Sequence, residues 1–131
     1  MRLLLLAFAA LLIAAPAHAQ REPEWRIAIE VDILLHPFRY EPRVIRLEAG
    51  RPVKLHFVNN GRANLSFSAP DFFRAALVRR RDVPWVRDGR FRLAPGERRT
   101  IALVPAPGRY HARSSYLLHR LRGMTAIIIV E

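Results

Sequence analysis

Between Trp25 and Ile33 the chain alternates, with Trp25, Ile27, Ile29, Val31 and Ile33 apolar and Arg26, Glu30 and Asp32 polar. A period of two describes an extended strand with one buried face, and it rules out an amphipathic helix over the same residues. The same pattern recurs in short pieces separated by turn residues. His36-Pro37 breaks the first strand, Tyr40-Glu41-Pro42 opens a second with Val44, Ile45 and Leu47, and Ala49-Gly50-Arg51-Pro52 forms a turn. Val53, Leu55 and Phe57 make a third strand, and Asn64 to Ser68 a fourth beyond the Asn59-Asn60-Gly61 loop. Phe72, Phe73, Ala76, Leu77 and Arg80 then recur at helical spacing behind an Asp71 cap, which predicts one short helix near 71–81. Arg90 to Leu93 and Arg98 to Val104 flank Ala94-Pro95-Gly96-Glu97, and Tyr110 with Ala112 opens the strand before the last loop. Seven to eight strands and one short helix predict an all-β fold, an antiparallel sandwich with Greek-key connections. The unbroken run Ile127-Ile128-Ile129-Val130 predicts a central strand covered on both faces.

The first 19 residues have the form of an export leader: Arg2, the apolar run Leu3 to Ala15, and Ala17-His18-Ala19 as a cleavage site. The run is shorter than the roughly 20 apolar residues a spanning helix needs. The expected mature protein is therefore residues 20–131, one periplasmic or secreted domain with no transmembrane segment. Cysteine is absent, which excludes disulfides, thiolate metal ligation and cysteine nucleophiles. Of the 22 basic residues only Lys54 is not arginine, and the 21 outside the leader exceed the 11 acidic residues by ten. An excess of that size attracts anionic surfaces. Specific nucleic-acid binding is not expected, because the arginines are dispersed and no recognition motif accompanies them.

Several pieces, in order, resemble the plastocyanin-like and azurin-like cupredoxins exported by bacteria: Phe38-Arg39-Tyr40-Glu41-Pro42, Glu48-Ala49-Gly50-Arg51-Pro52, Phe57-Val58-Asn59-Asn60, Ser66 through Phe73, Ala94-Pro95-Gly96-Glu97, Ala106 through Tyr110, and His119 through Met124. The resemblance covers nearly all of 20–131 and implies a cupredoxin sandwich with a metal loop between its last two strands. In that family the loop supplies a cysteine, a histidine and an axial methionine. His119 and Met124 stand at the last two of these positions, while the cysteine position is Ser114 and the first-histidine position is Leu65. A serine hydroxyl is a poor, high-pKa ligand for copper and leucine is none, so blue-copper electron transfer is not expected.

The sequence then supports two readings. In one, the metal centre has decayed, copper is not bound, and the apolar end made by Leu65, Leu117, Leu118 and Leu121 meets a partner protein. In the other, copper for storage or delivery is held by His119 and Met124, with His36 or His111 as a second imidazole. His56 alternates with core residues on its strand and is left out of any site. Trp25, Trp85, Phe57, Phe67, Phe72, Phe73 and Tyr110 are expected in the core. No enzyme is expected: Ser114 and Ser115 lack a nucleophile elbow, and the acids show no paired spacing.

Overall fold

Strand β4 (Val53–Asn59) is the spine of one of two five-stranded sheets in the computed structural model, which describes residues 21–131. The expected leader lies outside the described residues. The first sheet runs β2 (Arg39–Glu41), β1 (Ile29–His36), β4, β8 (Arg98–Val104), β6 (Leu77–Val78). The second runs β3 (Val44–Leu47), β10 (Thr125–Val130), β9 (Gly108–Arg113), β5 (Leu65–Ser68), β7 (Arg90–Leu93). From β3 to β9 the chain passes from one sheet to the other at each step, so sequence neighbours face each other across the core rather than pairing.

The sandwich is as expected, with differences in how it is divided. Ten strands are present among the described residues, because the short β2 and β6 are separate pieces. Two pairings, β1 with β4 and β3 with β10, are parallel. Parallel neighbours need a long crossover; here the chain between β1 and β4 crosses through β3 of the opposite sheet, and that between β3 and β10 runs through β4 to β9, which alternate between the two sheets. The first strand is displaced: Trp25–Ile27 is a 3-10 turn with Ile27 78% exposed, and pairing continues from Ile29 through His36. The predicted helix is cut short. Helix α1 covers Pro70–Ala75, its N-cap is Ala69 rather than Asp71, and Leu77–Val78 is already a strand on β8. A four-residue helix α2 (Val83–Val86) and a five-residue helix α3 (Leu117–Leu121) complete the chain.

Phe57, Phe67 and Phe91 form the centre of the core, with ring centroids 4.8 to 5.9 Å apart, joined by Phe72, Phe73, Ile33, Leu35, Leu55, Leu93 and Ile101. Burying each such side chain contributes on the order of 1.5–3 kcal/mol. Tyr110 packs half-buried against this core, but Trp85 does not enter it. Trp85 is exposed, and the Arg99 guanidinium stacks 4.2 Å over its ring. Asp82 is buried, bonded by Arg79 Nε at 2.7 Å and by the Ala102 amide at 3.0 Å. That pairing satisfies the carboxylate and fastens the segment before α2 to β8. Gly89 is required where it stands: φ is +73°, and a Cβ there would lie 2.4 Å from Pro70 Cα. The close approach seats the start of α1.

Strand β10 is interior to its sheet, between β3 and β9, as the apolar run suggested. It is not covered on both faces. Ala126, Ile128 and Val130 are buried, whereas Ile127 and Ile129 lie half-buried on the outer side.

Candidate functional site

Three segments converge at one pole: the β1–β2 turn, the loop leading into β5, and the β9–β10 connection carrying α3. The β1–β2 turn is closed by Pro37 and Phe38, since His36 pairs with Arg39. Phe38 takes φ +65°, which a bulky side chain rarely adopts. Its ring lies edge-on to His119, centroids 5.1 Å apart, and the Arg122 guanidinium sits over the Phe38 ring, 4.9 Å from its centroid. Tyr116 flanks the imidazole at 5.3 Å, also edge-on.

The β9–β10 connection is closed by its own backbone. The Ser114 amide donates to the Met124 carbonyl and the Met124 amide to the His119 carbonyl, both at 3.1 Å. This holds the ends of the loop together and brings Met124, fully buried, alongside Ser114. His119 Nδ1 is buried and has no hydrogen-bond partner among the described residues. An unpaired imidazole nitrogen costs on the order of 1–3 kcal/mol in desolvation.

Ser114 and Ser66 join the two sides of the pole. Both are fully buried, with hydroxyl oxygens 3.0 Å apart. Ser114 Oγ also accepts the Tyr116 amide at 3.1 Å, and Ser66 Oγ accepts the Ser115 amide at 2.7 Å. Tyr40, buried in the core, donates its hydroxyl to the Ser66 carbonyl at 2.6 Å. Burial raises the Tyr40 phenol well above the ordinary tyrosine range. Leu65 is buried beside these groups; its Cδ1 lies 3.3 Å from where a Cβ on Gly61 would sit, with Pro37 and Asn59 around the same point.

The remaining histidines are engaged elsewhere. His36 Nε2 bonds Glu41 Oε2 at 2.8 Å, and His111 is exposed on β9, in register with Ile127. His56 points away from the core as expected, yet it is buried, with Nδ1 2.7 Å from Thr100 Oγ1 and Nε2 3.3 Å from Glu30 Oε1. Its cross-strand neighbours cover it. Among the described residues no three of His, Asp and Glu gather where they would hold a metal.

The expected apolar end divides into two layers. Leu65 lies beneath the surface, while Leu117, Leu118 and Leu121 on α3 are 57%, 71% and 71% exposed. Ser66, Phe38 and Tyr116 were missed from sequence. Ser66 had one signal: Leu65, Ser66 and Phe67 are buried in succession, and a small polar residue inside such a run needs an internal partner.

Two packed β-sheets with a closed loop at one pole define the class, a blue-copper-type sandwich. Comparison with solved structures agrees. Reduced auracyanin from Roseiflexus castenholzii superposes with a TM-score of 0.57 at 19% identity, over 79% of this chain and 98% of that one. Auracyanin A, a blue copper protein from Chloroflexus aurantiacus, gives 0.53 at 12% identity, over 78% and 99%. A multicopper oxidase gives 0.55 at 12% identity, over 79% of this chain and 44% of its own. At these identities the likeness is one of fold. The family model for the cupredoxin-like domain matches residues 3–128, and the chain belongs to that family. No curated protein sequence matches it.

The donor set does not fit a type 1 copper centre. The chain has no cysteine to supply a thiolate; Ser114, expected at that position, has its oxygen engaged by Ser66 and the Tyr116 amide, and Leu65, expected at the first imidazole position, carries no donor. The donors His119 and Met124 offer are an imidazole nitrogen of borderline softness and a soft thioether, and it is the thioether that favours Cu(I) over Cu(II).

Proposed function

We propose that this is an exported cupredoxin-like binding module, not an enzyme and not a blue-copper electron carrier, which meets a partner protein through α3. The observation that carries this reading is the exposure of Leu117, Leu118 and Leu121 on one five-residue helix, above a loop closed by hydrogen bonds. Large apolar side chains clustered on a soluble surface mark contact sites. Arg120 and Arg122 border them, so the partner surface is apolar with an acidic rim. Ser114 is buried and hydrogen-bonded with no histidine on its oxygen, which leaves no activated nucleophile.

A photo-crosslinking residue placed at Leu118 tests this in the native compartment. One discrete crosslinked partner, lost on Leu121→Asp and absent when the crosslinker replaces Arg98 on the first sheet, is the expected result. No adduct, or equal adducts from both positions, sinks the reading.

One observation favours a second reading. The orphaned His119 Nδ1, with Met124 buried in the same loop, supports a rebuilt copper site for storage or delivery. Titration with Cu(I) decides it: micromolar or tighter binding that disappears in His119→Ala establishes the site, and its absence in the parent protein removes it.

A further inference from the structure

The outer faces of the two sheets carry charge in opposite ways. On the first sheet the outward residues include Glu30, Asp32 and Glu41 beside Arg39, Lys54 and Arg98, and they are linked across strands. His56 pairs with Glu30, His36 and Arg39 with Glu41, and Arg98 approaches Asp32. The five strands of the second sheet contain no acidic residue at all. Their outward positions carry Arg46, Arg90, Arg92, Arg109, Arg113 and His111, all exposed, and none of these side chains forms an ion pair among the described residues. Carboxylates flank this sheet only past strand ends, at Glu48, Asp88 and Glu131.

Register turns this composition into a grid. Ile129 is opposite Arg46 on one side and Arg109 on the other, and Ser68 is opposite both Arg90 and Arg113. Arginines flanking one strand stand about 10 Å apart, two strand spacings. The rows themselves are separated by about 13 Å, from Thr125 to Ile129 along β10. Charges spaced so widely on a pleated face do not converge on a single small anion. They suit an extended surface of repeating anions.

We infer that the outer face of the β3–β10–β9–β5–β7 sheet docks onto anionic phospholipid bilayers. Charge complementarity is the first argument. The second is the stripe of Val44, Ile127 and Ile129 between the arginines, with Val44 41% exposed and the isoleucines half-buried. Apolar side chains amid guanidinium groups match the boundary between head groups and acyl chains. Single-stranded nucleic acid is disfavoured because no outward position on this face carries Phe, Tyr or Trp, the broad rings on which successive bases stack. Helix α3 sits in the β9–β10 connection at one end of this face and contributes none of the residues invoked here, so the inference stands apart from the partner reading above.

The core and both sheets lie within residues 29–130, so the test uses the protein without residues 1–19. Its partitioning onto phosphatidylcholine vesicles with and without phosphatidylglycerol is compared for the parent, Arg46→Gln/Arg109→Gln/Arg113→Gln, and Arg39→Gln/Lys54→Gln/Arg98→Gln. The two variants lose equal charge, and circular dichroism with a melting curve establishes that each is folded. The parent should bind only vesicles containing phosphatidylglycerol and release them at high salt. The second-sheet variant should bind about a hundredfold more weakly, and the first-sheet variant within a few-fold of the parent. Equal weakening of both would reduce the effect to net charge and overturn the inference. So would failure of the parent to bind, or a second-sheet dependence seen with DNA but not with vesicles.

Discussion

Ser114 Oγ lies 3.0 Å from Ser66 Oγ, and each hydroxyl also accepts a backbone amide from the segment that follows Ser114. Ser114, which the resemblance to the family puts at the thiolate position, forms one half of a hydrogen-bonded clasp between β5 and the β9–β10 loop. These bonds tie the loop to the sandwich.

Removing either hydroxyl leaves a part-buried amide without its acceptor, Ser115 for Ser66→Ala and Tyr116 for Ser114→Ala. Each single substitution should cost about 1–3 kcal/mol. The double variant should cost less than the sum, with about 0.5–3 kcal/mol of coupling. Urea denaturation measures all three, and strict additivity would show that the two hydroxyls do not act together.

Restoring the missing donors tests the alignment of this site with the family. Leu65→His with Ser114→Cys places an imidazole and a thiolate beside His119 and Met124, and the double variant should turn intensely coloured on adding Cu(II). A variant that folds but stays colourless would show that Leu65 and Ser114 do not occupy the ligand positions.

Tyr40 gives a pH dependence whose sign is fixed by burial. Its phenol, raised above the ordinary value of 10.0, stays protonated in the folded protein while the unfolded chain ionises normally. Below about pH 10 the residue adds no pH dependence; above it the unfolded state releases a proton that the folded state keeps, and stability falls as pH rises. The slope from this one group approaches about 1.4 kcal/mol per pH unit. In urea melts between pH 9 and 11.5, Tyr40→Phe should show a shallower decline than the parent. It should also lower stability at neutral pH by about 1 kcal/mol, through loss of the 2.6 Å bond to the Ser66 carbonyl.

Alternation of apolar and polar residues determined that this chain would build a two-layer β-structure, because a strand with one apolar face must bury it against another. It also announced the core phenylalanines at 57, 67, 72 and 73, the turn glycines, and the absence of thiolate chemistry, since these depend on residue type alone. Pairing was not legible in the same way. The parallel registers of β1 with β4 and β3 with β10, the end of α1 at Ala75, and the exposure of Trp85 under Arg99 follow from contacts between residues far apart in the chain. So does the clasp: Ser66 and Ser114 are 48 positions apart, and no local pattern at either one specifies the other. The sequence declared an excess of arginine, but only the register of five strands decided that Arg46, Arg90, Arg92, Arg109 and Arg113, none of them in an ion pair among the described residues, share one face. Periodicity acts along the backbone, whereas partners are chosen across it.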